Sequence, residues 1–255
     1  MCLLVLAWHR HPRFRLVLAG NRDEFHDRPA SPADWWETDT LGGRDLRAGG
    51  SWLAAHRSGR FAVVTNYREP IEEGRGPRSR GELVAGFCDG DAGPERFARQ
   101  LAFRGEEYGG FNLLLGDPAE LVYISNRGRG PERLEAGIYG LSNHLLDTPW
   151  AKLERTRRRF AALLAGEAGT DELMAMLADR EPAGESGLTS TGLTPERERL
   201  LSAPFIVSPH YGTRCSTVLR LSEDGEMDFT ERRFDPAGEL AGESAFRFAI
   251  HGASA

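Results

Sequence analysis

Lysine is almost missing from this chain. Of 32 basic residues only Lys152 is not an arginine, which we read as a matter of base composition rather than of function. Cysteine is scarce too. Cys2, Cys88 and Cys215 are odd in number and widely spaced, so they make neither a disulfide framework nor a CxxC metal pattern. No apolar run approaches the roughly 20 residues that a membrane-crossing helix needs. The opening run, Leu3 to Trp8, is too short for a signal peptide; it has no basic stretch before it and no small-residue cleavage site after it. A cytoplasmic location is therefore expected. There is no internal repeat and no linker long enough to divide the chain, so a single domain over residues 1–255 is expected. Positive charge is not in excess. A net charge of −6 and a pI near 5.7 argue against a general nucleic-acid binder. What remains, 40% hydrophobic and 27% charged, is the composition of a soluble globular protein able to bury a core.

The chain is organised around its own beginning. Cys2 precedes the apolar run Leu3 to Trp8. A polar break at His9 to Arg13 leads to a second run, Phe14 to Ala19, which ends in Gly20-Asn21-Arg22-Asp23-Glu24-Phe25. Two short apolar runs around a Pro-containing turn read as a β-hairpin, and that hairpin returns the cluster Asn21 to Glu24 to the side of Cys2. Cys2 is small enough for Met1 to be removed, which would put a thiol and a free α-amine on one residue. Such an amine titrates near about 7.7–8.0 and is a usable base at neutral pH, and a nucleophile served by its own terminal amine is an established catalytic device. A cysteine at a strand end is more often a small buried hydrophobe. Position two, together with the returning charges, favours chemistry. The neighbouring arginines are expected to lower the thiol pKa.

Further along, Asp27 to Pro32 reads as a loop, and Gly42-Gly43 and Gly49-Gly50 as bends beside a pocket. Ser51 to Asn66 reads as a second hairpin, and Glu69 to Arg80 as an exposed mobile loop. Two short helices are expected around Leu83 to Phe87 and Phe97 to Leu101. Strands are expected over Tyr108 to Gly116, Leu121 to Ser125 and Gly137 to Asn143. A helix from Trp150 to Leu164 and another from Asp171 to Leu177, capped by Thr170 or Asp171, follow. The stretch Glu181 to Thr194 reads as flexible. Strands resume at Phe205 to Val207, cross Tyr211 to Val218, turn at Asp224-Gly225 and close at Phe246 to Ile250. Strands at both ends with helices between them make an α+β fold. Cys88 and Cys215 fall in a helix and a strand, as packing residues.

Polar residues stand at four strand ends where apolar ones would bury more easily: Asn21 to Glu24, Asn66, Asn143 and Arg214. Asparagine suits turns and arginine pairs with surface carboxylates, so each alone has an ordinary explanation. With Cys2 they compose an acyl-transfer site, in which a thiolate attacks a carbonyl, amides stabilise the oxyanion, and a cation and carboxylate hold the terminal amine. The histidines offer no competing triad.

The ordered set Cys2, Asn21-Arg22-Asp23-Glu24, Arg28-Pro29, Gly42-Gly43-Arg44-Asp45, Gly50-Ser51-Trp52, Thr65-Asn66-Tyr67-Arg68, Ser79-Arg80-Gly81, Gly110-Phe111-Asn112-Leu113, Tyr139-Gly140-Leu141-Ser142-Asn143 and Tyr211-Gly212-Thr213-Arg214 resembles the NRDE family. These are the proteins similar to transport and Golgi organisation protein 2. The likeness runs from Cys2 to about Phe234 and departs at Cys215, where a serine is expected. It implies a four-layer αββα sandwich of the N-terminal nucleophile hydrolase type, similar to choloylglycine hydrolases and penicillin V acylases. By that resemblance Cys2 is the nucleophile, Asn66 and Asn143 are the oxyanion and amine-orienting asparagines, Arg214 is the late-strand arginine, and Arg22 and Asp23 are the second-strand pair.

The expected function is a cysteine amidohydrolase or acyltransferase for a small-molecule, non-peptide amide or thioester, with no cofactor, no metal and no nucleic-acid partner. The alternative is a non-catalytic protein that binds or traffics haem or an acyl lipid in the same pocket, since the family is associated with lipid and haem handling. The first reading requires a chain that starts at Cys2. Intact-mass spectrometry of active protein should show the loss of Met1; active protein that keeps Met1 throughout would remove the self-activated mechanism.

Overall fold

The computed structural model describes residues 2–69, 76–166, 168–189 and 191–251. Strand β1 (Cys2–Trp8) and strand β2 (Phe14–Phe25) form the opening hairpin, with Cys2 opposite Arg22 and Trp8 opposite Leu16. Strand β1 reads as unbroken apolar sequence because both of its faces are buried. Leu4, Leu6 and Trp8 enter a core shared with a second sheet, and Leu3, Val5 and Ala7 enter one beneath helices. Each of the larger side chains among them contributes about 1.5–3 kcal/mol on burial.

The hairpin lies inside a six-stranded antiparallel sheet. On the β1 side it is flanked by β10 (Gly137–Leu141), and on the β2 side by β11 (Tyr211–Ser222), β12 (Glu226–Phe234) and β13 (Leu240–Ala249). The second sheet is a meander of β3 (Ala30–Trp35), β4 (Thr40–Asp45), β5 (Leu53–His56), β6 (Phe61–Asn66), β7 (Phe111–Gly116), β8 (Leu121–Ser125) and β9 (Glu132–Arg133). Phe61, Val63, Leu114 and Tyr123 turn inward to meet the first sheet, whereas Ala62, Val64, Leu113 and Leu115 turn outward. Helices α1 (Gly81–Cys88) and α2 (Pro94–Ala102) cover that outer face with Leu83, Val84, Phe87, Ala98 and Leu101. Helices α3 (Ala151–Leu164) and α4 (Thr170–Leu177) cover the first sheet with Leu153, Phe160, Leu173 and Leu177. The four layers, helix, sheet, sheet and helix, are the αββα sandwich expected.

Several local expectations need correction. The loop expected over Asp27 to Pro32 ends in β3, an edge strand with a register shift between Ser31 and Asp34; an edge position tolerates the missing N–H of Pro32. Gly42-Gly43 lies inside β4 rather than in a bend, and a Cβ on Gly43 would collide with the Trp52 ring. Phe205 to Val207 is not a strand: the Phe205 N–H donates to the Asp179 carbonyl and that of Ile206 to the Thr213 hydroxyl, so no ladder forms. Helix α5 (Pro195–Leu201), capped by Thr194, was not anticipated. Gly169 precedes α4 and donates its N–H to Glu172 (2.9 Å), in place of the expected Thr170 or Asp171 cap. Residues 70–75 of the loop expected after Glu69 lie outside the described residues, and Gly76 to Arg80 lines a cavity.

Gly50 is a close-approach position. A Cβ there would overlap the Gly81 carbonyl carbon, where Ser51 donates its N–H to the Gly81 oxygen (3.1 Å). Gly86, inside α1, is different: a methyl group there would meet nothing within 4 Å. Gly50→Ala should therefore destabilise by about 1–3 kcal/mol, and Gly86→Ala should stabilise by about 0.5–1 kcal/mol. Thermal melts of both variants check this; a wild-type melting temperature for Gly50→Ala would show that the contact yields.

Candidate active site

Cys2 opens β1 where the ends of both sheets converge, and its side chain lines a cavity of about 380 Å³. Arg22, Asp23 and Glu24 of β2, Thr65 and Asn66 of β6, Ser51, Trp52 and the segment 76–81 complete much of the wall. Arg22 is buried, stacks on the Trp52 ring at 4.4 Å and lies 3.7 Å from the Asp45 carboxylate. Trp52 can take this position because Gly43 presents no side chain to its ring. Arg28 binds the same Asp45 oxygen at 2.5 Å and approaches Glu24 at 3.6 Å.

Asp23 is one residue from Arg22 and so leaves the strand on the opposite face. It is buried, accepts a hydrogen bond from the Thr213 hydroxyl (2.7 Å), and gives its backbone carbonyl to the Tyr211 hydroxyl (3.0 Å). Burial raises its pKa; the charges of Lys152 and Arg22 and the Thr213 hydrogen bond oppose that rise. Lys152 is buried in α3, donates to the Leu201 carbonyl (2.9 Å), and has its pKa pulled down to about 8 by burial.

The two asparagines have different parts. The Asn143 amide, fully buried, donates to both the backbone carbonyl (3.0 Å) and the side-chain oxygen (2.9 Å) of Asn66. Its donors are thereby consumed. The Asn66 carboxamide oxygen is thereby fixed, and among the described residues nothing accepts from its amide nitrogen, which belongs to a cavity-lining side chain. Asn66 thus keeps amide N–H groups to spare among the described residues, and Asn143 holds its side chain in place. A buried relay supports both. Tyr123 donates to Asn112 (2.7 Å), Asn112 to Thr65 (3.3 Å), Thr65 to the Ser142 carbonyl (2.8 Å), and the Ser142 hydroxyl to the Cys2 carbonyl (2.9 Å). Thr65, Asn112 and Ser142 stand in the sequence patterns that suggested the site, but a hydroxyl or amide facing another sheet leaves no periodic signal.

Arg214 is not brought to the cavity. It is the extra residue of a bulge between Thr213 and Cys215, and it donates to the carbonyls of Phe25 and His26 (both 3.2 Å). Nor is the thiol acidified as expected. Burial raises the Cys2 pKa above its ordinary value, and the Asp23 backbone N–H and the Arg22 charge only partly oppose this. Burial also pushes up the thiols of Cys88 and Cys215, which pack as expected.

The family model described as Transport and Golgi organisation 2 matches residues 1–236. The chain belongs to that family. It is 38% identical to a Transport and Golgi organization protein 2 homolog from Bos taurus and 34% identical to the one from Homo sapiens, each alignment covering 91% of this chain and 92% of the relative. A solved mutant conjugated bile acid hydrolase from Clostridium perfringens is similar in fold, with a TM-score of 0.51 at 8% identity over 96% of this chain and 92% of that one. This family member therefore has the N-terminal nucleophile hydrolase fold. No helix among its described residues is long and apolar enough to cross a membrane.

The raised Cys2 pKa sets a pH dependence. A thiol whose pKa is raised is mostly protonated at neutral pH, so its thiolate fraction, and with it its alkylation rate, keeps climbing with alkalinity. In protein that retains Met1, iodoacetamide labelling of Cys2 should still be rising above about pH 9, beyond the ordinary thiol range. Peptide mapping across neutral to alkaline pH checks this, and a plateau reached below that ordinary range would contradict it.

Proposed function

We propose that the protein is a cysteine N-terminal nucleophile enzyme, an amidohydrolase or acyltransferase for a small, non-peptide amide or thioester. The observation that supports this most is the pairing of a cavity-facing Cys2 with an Asn66 amide that Asn143 holds fixed and leaves free to donate. Once Met1 is removed, the α-amine of Cys2 takes the thiol proton. The sulfur attacks the substrate carbonyl carbon, and the oxyanion so formed accepts a hydrogen bond from the Asn66 amide. Collapse breaks the carbon–nitrogen or carbon–sulfur bond, and the leaving group departs with the proton that the amine held. Water then gives a proton to the amine and its oxygen attacks the acyl-sulfur carbonyl. The acid leaves and the thiol is restored. If an acceptor amine or alcohol replaces the water, the same sequence transfers the acyl group.

In this mechanism Arg22 and Asp23 hold charge on the two sides of the strand beside the nucleophile, and Arg214 acts through the turn at Phe25-His26. The cavity wall also favours the enzymatic reading over a haem or acyl-lipid carrier. A carrier for either wants an apolar slot, whereas this wall is largely guanidinium, carboxylate, amide and hydroxyl.

Cys2→Ala should abolish turnover of amide or thioester substrates. Asn66→Ala should lose about 10²–10³ in kcat, as removal of an oxyanion donor does, and Asn143→Ala should lose less because it acts at one remove. All three should melt as folded proteins. Haem titration is the companion measurement. Tight haem binding that responds to Cys2→Ala and ignores both asparagine variants, with no substrate turned over in a broad screen, would replace the enzyme with the carrier.

A further inference from the structure

The cations of the cavity wall are not equivalent. Arg22 and Arg28 both face Asp45, and Arg28 also reaches Glu24. Arg78 is held by Glu82 and by Glu107 (2.8 Å for the latter). Arg80 differs. Among the described residues its side chain has one hydrogen-bond partner, the Gly110 carbonyl at 3.0 Å, and no carboxylate stands within ion-pair distance. One carbonyl occupies one of five guanidinium N–H groups.

Its backbone is held firmly. Arg80 precedes α1 and its carbonyl accepts from Leu83 (3.1 Å), while the next residue, Gly81, is clasped against Gly50-Ser51. The side chain is half-buried, and burial lowers its pKa; the largest opposing influence is the charge of Cys2, followed by that of Glu24. An arginine stays charged through such shifts. A cation beside the nucleophile, partly stripped of water and matched by no carboxylate among the described residues, is poorly placed for stability alone. Its planar fork suits a carboxylate or a phosphate oxygen pair.

We propose that Arg80 is the anion-binding residue of the cavity and selects substrates of Cys2 that carry a carboxylate or phosphate group. The word substrate rests on the hydrolase reading above; the anion site does not. Among the described residues the other arginines of the wall face carboxylates, so Arg80 supplies positive charge that no carboxylate there matches. An anionic group bound there anchors the substrate close to the sulfur.

The test uses alkylation of Cys2 in the full chain, with anionic iodoacetate and neutral iodoacetamide as probes at one pH. The ratio of the two rates cancels any change in the thiol pKa. In the wild type, that ratio at the Cys2 peptide should exceed the ratio on free glutathione by about tenfold, the scale of one charge-assisted hydrogen bond. Arg80→Gln should bring it down to the glutathione value, and Arg80→Lys should retain part of it. An unchanged ratio in Arg80→Gln, or a wild-type ratio no higher than that of glutathione, overturns the assignment. Inorganic phosphate and acetate added to the wild type supply a measurement that needs no variant to fold. Slowing of iodoacetate labelling by phosphate alone identifies phosphate as the group selected, slowing by acetate alone identifies carboxylate, and slowing by neither overturns the proposal. Alkylation needs no turnover, so a failed substrate screen with an intact ratio removes the hydrolase reading and leaves Arg80 where it is.

Discussion

The site depends on a short polar seam between two sheets whose facing sides are largely apolar. Hydrophobic contact is non-directional, and leucines against phenylalanines would let one sheet slide over the other by a fraction of a residue. The hydroxyl of Thr65, from the second sheet, bonded to the carbonyl of Ser142, at the end of β10 in the first, does not allow this. Its neighbours extend it in both directions, to Asn112 and Tyr123 on one side and to the carbonyl of Cys2 on the other. Every one of these groups is buried or nearly so, and losing a partner there would leave an unsatisfied polar atom worth about 1–3 kcal/mol. The register of Cys2 against the asparagine pair is thus set by directional bonds.

The division of labour on β2 follows from the pleat. Arg22 and Asp23 are adjacent and of opposite charge, which invites the idea that they form one pair beside the thiol. Alternation sends them to opposite faces. Arg22 goes into the space between the sheets against Trp52 and Asp45, and Asp23 goes under the helices against Thr213, within the influence of Lys152. The strand therefore carries charge around its end without bringing that pair together as a closed salt bridge.

The α+β class and the hairpin that carries Cys2 were legible because strand ends and helical spacing are local signals, whereas the four layers were implied by the family resemblance. The cluster Asn21 to Glu24, Asn66 and Asn143 stood out for a related reason, polar residues at strand ends being anomalous in a core, and the structure gathers Cys2, Arg22, Asp23 and Asn66 around one cavity with Asn143 bonded to Asn66. What the sequence hid was non-local. Arg214 missed the cavity because a bulge turned it aside, and no spacing announces a bulge between Thr213 and Cys215. Its arginine neighbours promised an acidic Cys2, but the sign of a pKa shift depends on how much water burial removes. The three-residue run Phe205 to Val207 carries strand-like residues whose backbone is claimed by Asp179 and the Thr213 side chain. That Arg80 faces no carboxylate at ion-pair distance among the described residues is likewise a three-dimensional fact with no local signal.

Lys152, the only lysine, is buried in α3 with its amine tied to a backbone carbonyl. Every other basic side chain outside the histidines is a guanidinium, which is a far weaker nucleophile than an amine. Activated acyl groups, whether thioester substrates or an acyl-cysteine, modify exposed lysines without any enzyme. A chain built this way presents no exposed lysine amine to such groups.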